Sequence, residues 1–172
     1  MVRRVLVPLD RTDKAELALH ALPALCDKGD EVILLTIAEE DRPLQLGVRP
    51  GRIVRGPVLN PAGGVAGASR PDLPVYAETH DQAMRRQLDE MEDYLRPKAR
   101  ELESQGFNVS MAFEISNDPA RAIVDVARHV KPTFIIMVRT THPGAGQRVF
   151  GTVAQHVIRE DVAPVLILPG HS

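Results

Sequence analysis

The chain has 172 residues, 44% of them hydrophobic and 26% charged, with a formal net charge of −2; these figures fit one ordinary globular domain and neither wholesale disorder nor a membrane protein. Aromatics make up 3% and Trp is absent, so no aromatic-rich surface exists for stacking nucleic-acid bases, and the charge gives no general attraction to polyanions. Cys26 stands alone, which excludes an internal disulfide and any cysteine-based zinc cluster and agrees with a cytoplasmic location, while no stretch approaches the ~20 apolar residues of a membrane helix.

Val5 to Leu9 and Glu31 to Ala38 are continuous apolar runs rich in β-branched residues, as buried parallel strands are. Between them Asp13, with Glu16 three residues on, reads as a helix start, Leu17, Ala21, Ala24 and Leu25 as an apolar stripe, and Gly29 as the stop. Pro23 should kink or shorten that helix. Residues 42 to 74 carry six prolines, five arginines and a single acidic residue, Asp72. They show neither helical nor strand periodicity and are expected to form a long loop, part of an insertion spanning about 42–80.

From Asp81 to Gln105, Met84, Leu88, Met91, Leu95, Ala99 and Leu102 mark one face of a helix. Phe107 to Ile115 follows as the third strand. Asp118 is placed to cap the next helix, with Pro119 at its first position and Ile123, Val126, Ala127 and Val130 on its buried side. Phe134 to Val138 is the fourth strand. Thr152 and Gln155 form a T-x-x-Q capping box with Thr152 as the expected N-cap, and Pro164 to Leu168 closes the chain as the fifth strand. This alternation predicts an α/β fold, an open, doubly wound, five-stranded parallel sheet with about four helices.

In such a sheet ligands bind beyond the carboxyl ends of the strands, where the strand order reverses. The segment Pro8, Leu9, Asp10, Arg11 and Thr12 at the end of the first strand should therefore face Val138, Arg139 and the loop that continues through Gly144 to Gly151. Glycines let backbone amides approach an anion closely, and the helix beginning at Thr152 and Val153 offers unpaired N–H groups. Arg139 and Arg148 flank this loop and His142 sits in it. Asp10 suits the amides of the turn that follows it. No G-K-[ST], H-E-x-x-H or G-x-S-x-G occurs, and no acid–base pair, metal cluster or nucleophile arrangement can be named, so no enzyme activity is expected. Cys26 reads as a core residue.

The segments VLVPLDRTDKAELAL, EVILLTIAEE, NDPARAIVDVA and FIIMV…GAGQRVFGTVAQHVIREDVAPVLIL together resemble the universal stress protein family, over nearly the whole chain apart from residues 42 to 80. The resemblance implies an adenine nucleotide alpha hydrolase-like sheet of order 3-2-1-4-5 and dimerisation through the C-terminal strand. It also implies site roles: Asp10 near ribose, the Ile37 backbone near an adenine edge, and the Thr152 and Val153 amides near a phosphate. ATP-binding members share a G-x-x-G-x9-G-[ST] pattern; here Gly151-Thr152 matches its close, but Val138 and Thr141 stand where the two leading glycines would be, and Asn117 replaces the glycine of a Gly-Asp-Pro. Two stiff β-branched residues leave little room for a phosphate against the backbone. The expectation is a regulatory or scaffolding module in stress response with a degenerate motif and weak or absent ATP binding; the alternative is a sensor of ATP, ADP or AMP. A homodimer and a protein partner are expected, and neither nucleic acid nor membrane.

Overall fold

The computed structural model describes residues 1–39, 80–139 and 151–170. Its elements run in the order β1 (Arg4–Leu9), α1 (Asp13–Leu25), β2 (Glu31–Ala38), α2 (His80–Ser104), β3 (Asn108–Ile115), α3 (Pro119–Val130), β4 (Phe134–Val138), α4 (Thr152–Arg159) and β5 (Val165–Leu168). All strand pairings are parallel, in the order β3-β2-β1-β4-β5. The four helices, the five strands and their order agree with the expectation from sequence. The expected loop at 42–74 lies outside the described residues.

Strand alternation divides the core in two. Val5, Val7, Leu9, Val32, Leu34 and Ile136 face α1 and α2, meeting Ala18, Leu22, Leu95 and Leu102. Leu6, Ile33, Leu35, Ile135 and Met137 face the other way and meet Ile123, Val124, Ala127 and Val157 of α3 and α4. Successive residues of β1 thus serve opposite layers, and both are fully buried. Cys26 belongs to the first layer, and burial, then the nearby Asp30 carboxylate, raises its thiol pKa. Between α1 and α2 the Tyr94 hydroxyl donates to Glu16 Oε1 at 3.0 Å, with Lys98 Nζ 3.1 Å from the same oxygen. Burial and that bond push the Tyr94 pKa above the ordinary tyrosine range.

Local chemistry shifts several boundaries. Helix α1 is capped by Thr12, whose Oγ1 accepts from the Ala15 N–H at 3.2 Å, so Asp13 is the first helical residue and not the cap. The helix ends at Leu25, well before Gly29, and Pro23 sits in its last turn without breaking it earlier. Gly29, at φ +90°, instead donates its N–H to Gly106 O, joining the loops before β2 and β3. Asp118 caps α3 as expected, accepting from Arg121 N–H at 3.0 Å with Pro119 behind it. In α2 the apolar stripe is buried from Met91 onward, while Met84 and Leu88 are exposed. A 25-residue helix spans about 37 Å and the eight-residue β3 beneath it about 26 Å. The first two turns of α2 overhang the sheet.

Candidate functional site

β1 and β4 are ladder partners only at Val5–Phe134 and Leu6–Ile135, whereas β1 and β2 stay in register from Arg4–Glu31 to Leu9–Thr36. Beyond Leu6 no further ladder pair joins the two central strands, where Pro8 has no N–H to donate. An opening lies at their carboxyl ends, at the point where the chain, having laid β2 and β3 on one side of β1, crosses to lay β4 and β5 on the other.

A cavity of about 350 Å³ occupies this opening, lined by Pro8, Leu9 and Asp10 of β1 and its exit, Ile37 of β2, Val138 of β4, and Gly151, Thr152 and Val153 at the start of α4. These eight were expected at the site from sequence. Arg11, Thr12 and Arg139 are described but do not line the cavity, and Gly144, Thr141, His142 and Arg148 lie outside the described residues. Ala15, Pro119, Ile123, Met137 and Ala154 complete the lining and were not foreseen. They belong to helix faces and strand positions read only as core, because how closely a helix approaches the sheet edge is settled by packing. Their signal was present in part: Pro119 begins α3 directly beyond β3, and Met137 precedes Val138.

Asp10 is the single charged residue among these lining residues. Its Oδ1 accepts from Thr12 N–H at 3.1 Å and Thr12 Oγ1 at 2.5 Å. The turn reading is therefore realised, and it fixes the carboxylate at the cavity rim. Thr12 serves twice, anchoring Asp10 and capping α1. Arg11 adopts the left-handed conformation, at φ 63°, a strained choice for a residue with a Cβ and one that tightens the exit from β1. Thr36 Oγ1, fully buried, donates to Leu9 O at 3.1 Å and holds the β1 end against β2.

The start of α4 differs from the T-x-x-Q expectation. Gly151 is the N-cap, at φ 75° and ψ 155°, no side chain among the described residues caps the helix, and Thr152 is its first residue. That φ/ψ region is open essentially to glycine alone, so the chain turns one residue earlier than the threonine pattern suggests. The Gly151 carbonyl accepts from Gln155 N–H at 3.1 Å, closing the first turn. Gly151, Thr152 and Val153 of this first turn line the cavity, and the unpaired amides of a helix start favour an anion. The lining is otherwise aliphatic, suited to a flat apolar ring system with polar ends. Among the described residues no group of three His, Cys, Asp or Glu side chains could hold a metal ion. No helix among them is long and apolar enough to cross a membrane.

Comparison with known proteins places these features in context. A family model, the universal stress protein family, matches residues 63–169. The universal stress protein MJ0577 of Methanocaldococcus jannaschii is 25% identical over 169 residues, 98% of this chain and 95% of its own length. Its solved structure superposes with a TM-score of 0.70 at 22% identity, covering 100% of this chain and 99% of that one. A universal stress protein solved in complex with cAMP gives a TM-score of 0.56 at 14% identity, over 99% and 98% of the two chains. A universal stress protein family protein of Arabidopsis thaliana with AMP bound gives 0.55 at 13%, over 99% and 93%. At these identities the structural likenesses show the fold.

Proposed function

The chain belongs to the universal stress protein family, and from that premise we propose that it is a regulatory binding module and not a catalyst. Its crevice takes an adenine nucleotide by the nucleoside end, with one phosphate at the start of α4. The observation that carries this reading is that the N-terminus of α4, which no described side chain caps, lines a largely aliphatic cavity of about 350 Å³. Asp10, anchored through Thr12, stands where a ribose hydroxyl would donate to it. Ile37 and Met137 offer apolar surface for the base, and the Thr152 and Val153 amides donate to the phosphate. Relatives solved with cAMP and with AMP support the ligand class. Val138 lines the cavity with branched bulk beside the backbone, so a triphosphate gains less than a monophosphate.

Isothermal titration of AMP, ADP and ATP, with a Gly151→Val, Thr152→Val double variant as control, tests this. Micromolar binding of AMP, about −8 kcal/mol, stronger than that of ATP and abolished in the variant, is the expected result. No heat at millimolar ligand would overturn it. Steady ATP hydrolysis that disappears in Asp10→Ala would overturn the non-catalytic part.

A second reading, a scaffold acting through protein contacts, is favoured by the outer edge of β5. Leu166 is exposed there, beside an apolar groove lined by Leu25, Phe134, Pro164, Val165 and Leu166. Edge pairing of two copies would cover this strand, and light scattering at micromolar concentration should give twice the monomer mass. A monomer mass would end that reading.

A further inference from the structure

The chain leaving β5 returns to the crevice. Leu168 O accepts from Arg139 N–H at 2.8 Å, extending the β4–β5 ladder one residue past Val138. Two residues later Gly170 lies so close to the same residue that a Cβ placed on it would collide with the Arg139 carbonyl oxygen and stand 3.4 Å from Val138 Cγ1. Gly170 has no left-handed backbone to explain its identity. It is glycine for space, and the space is taken by backbone, which cannot rotate aside as a side chain would. Val138, which that Cβ would also meet, lines the cavity, and Arg139, which does not, follows it directly in the chain, so the Gly170 contact bears on the crevice wall through the residue next to it. The wall is gripped from behind by a hydrogen bond at Leu168 and a close backbone approach at Gly170.

We infer that Gly170 is a positioning residue of the crevice: its missing side chain lets the segment after β5 seat against Arg139 and set the position of Val138 in the binding wall. The inference rests on the nucleotide reading for its affinity consequence and not for its geometry. A methyl group at 170 forces Val138 and Arg139 away from residues 168–170, and the wall moves with them. In Gly170→Ala, AMP affinity should fall about tenfold, equivalent to about 1.4 kcal/mol. The methyl resonances of Val138 should shift in the ligand-free protein.

Val165→Ala weakens β5 at its far end, where Val165 pairs with Ile135. It should lower the melting temperature while leaving both AMP affinity and the Val138 resonances as they were. Equal loss of affinity in Val165→Ala would overturn the inference by reducing it to general loosening of the strand. Unmoved Val138 resonances in Gly170→Ala would overturn it outright. Should Gly170→Ala fail to fold, Val138→Ala removes the wall without crowding the backbone, and wild-type AMP affinity in that variant would equally sink the idea. Absence of AMP binding in the wild type would defeat the proposed function alone, because the resonance shift still decides where Val138 is held.

Discussion

The two ends of the sheet are built on opposite plans. At the amino ends of the strands a group of charged residues is tied together, although Gln105 Oε1, buried just before β3, has no partner among the described residues. Asp30, 3% exposed, accepts from Arg3 N–H, Arg3 Nε and Asp27 N–H, each at 2.9 Å. Arg4 reaches Glu31 and the Val130 carbonyl, each at 2.7 Å, and Asn108 Nδ2 donates to Gly29 O. At the carboxyl ends the β1–β4 ladder stops, an aliphatic cavity opens, Arg11 takes a strained conformation and α4 begins with no cap from a described side chain. Among the described residues the amino end is closed by linked charges, and the carboxyl end, where Asp10, Thr12 and Thr36 are also hydrogen-bonded, holds the cavity. If the crevice binds as proposed, the same sheet separates stability from binding along its strand axis.

Substitutions at each end can break that comparison, and the largest effect is expected at Asp30. Asp30→Ala orphans the Arg3 and Asp27 donors and should cost about 2–3 kcal/mol in urea unfolding, discounted because Arg3 is partly exposed, with AMP affinity of the folded fraction unchanged. Acid titration sharpens the point. Burial pushes the Asp30 carboxyl up, but the Arg3 and Asp27 N–H groups and the Arg3 guanidinium outweigh it and its pKa is lowered. A lowered carboxylate stabilises the fold fully above about pH 4, its unfolded value, and loses that contribution as pH falls through the folded value. Asp30→Asn should flatten this acid limb of the stability curve.

At the other end Gly151→Ala forces a side chain into a glycine-only conformation, at about 1–3 kcal/mol, and AMP binding should vanish with it. The two threonines give the finest test. Thr12→Ala should cost about 1 kcal/mol because its hydroxyl caps α1. Thr152→Ala should stay within about 0.5 kcal/mol because its hydroxyl caps nothing. Equal losses at the two positions would restore the capping-box reading of α4.

What the sequence disclosed follows the same division. Strands such as EVILLTIA and FIIMV are buried on both faces, so unbroken apolar runs announced them, and the strand order came with the family resemblance. Asp118 with Pro119 announced the α3 cap because a proline at the first helical position leaves one reading. The α4 start was misread because Thr152 and Gly151 both suit an N-cap, and the pattern T-x-x-Q carries no information about φ. Asp10 was placed at the crevice by its position after the first strand, and Ile37 by the family resemblance. Ala15, Ile123 and Ala154 were not, since a residue that packs a helix onto a sheet and one that floors a cavity look alike until the helix is docked. The Gly170 contact joins residues after β5 to the end of β4, and no local pattern reports it.

The short ladder between β1 and β4 also bears on the order in which the molecule assembles. Strand β1 meets β2 across a short connection, Arg4 with Glu31, but meets β4 only when Val5 finds Phe134 and Arg4 N–H finds Thr133 Oγ1, 129 residues away. Closing so long a segment is entropically dearer than closing the turn through α1. The β3-β2-β1 half is therefore expected to form first and to wait for its partner. The crevice is the seam of that late union, absent from either half alone, so ligand uptake would report that the whole chain has finished folding.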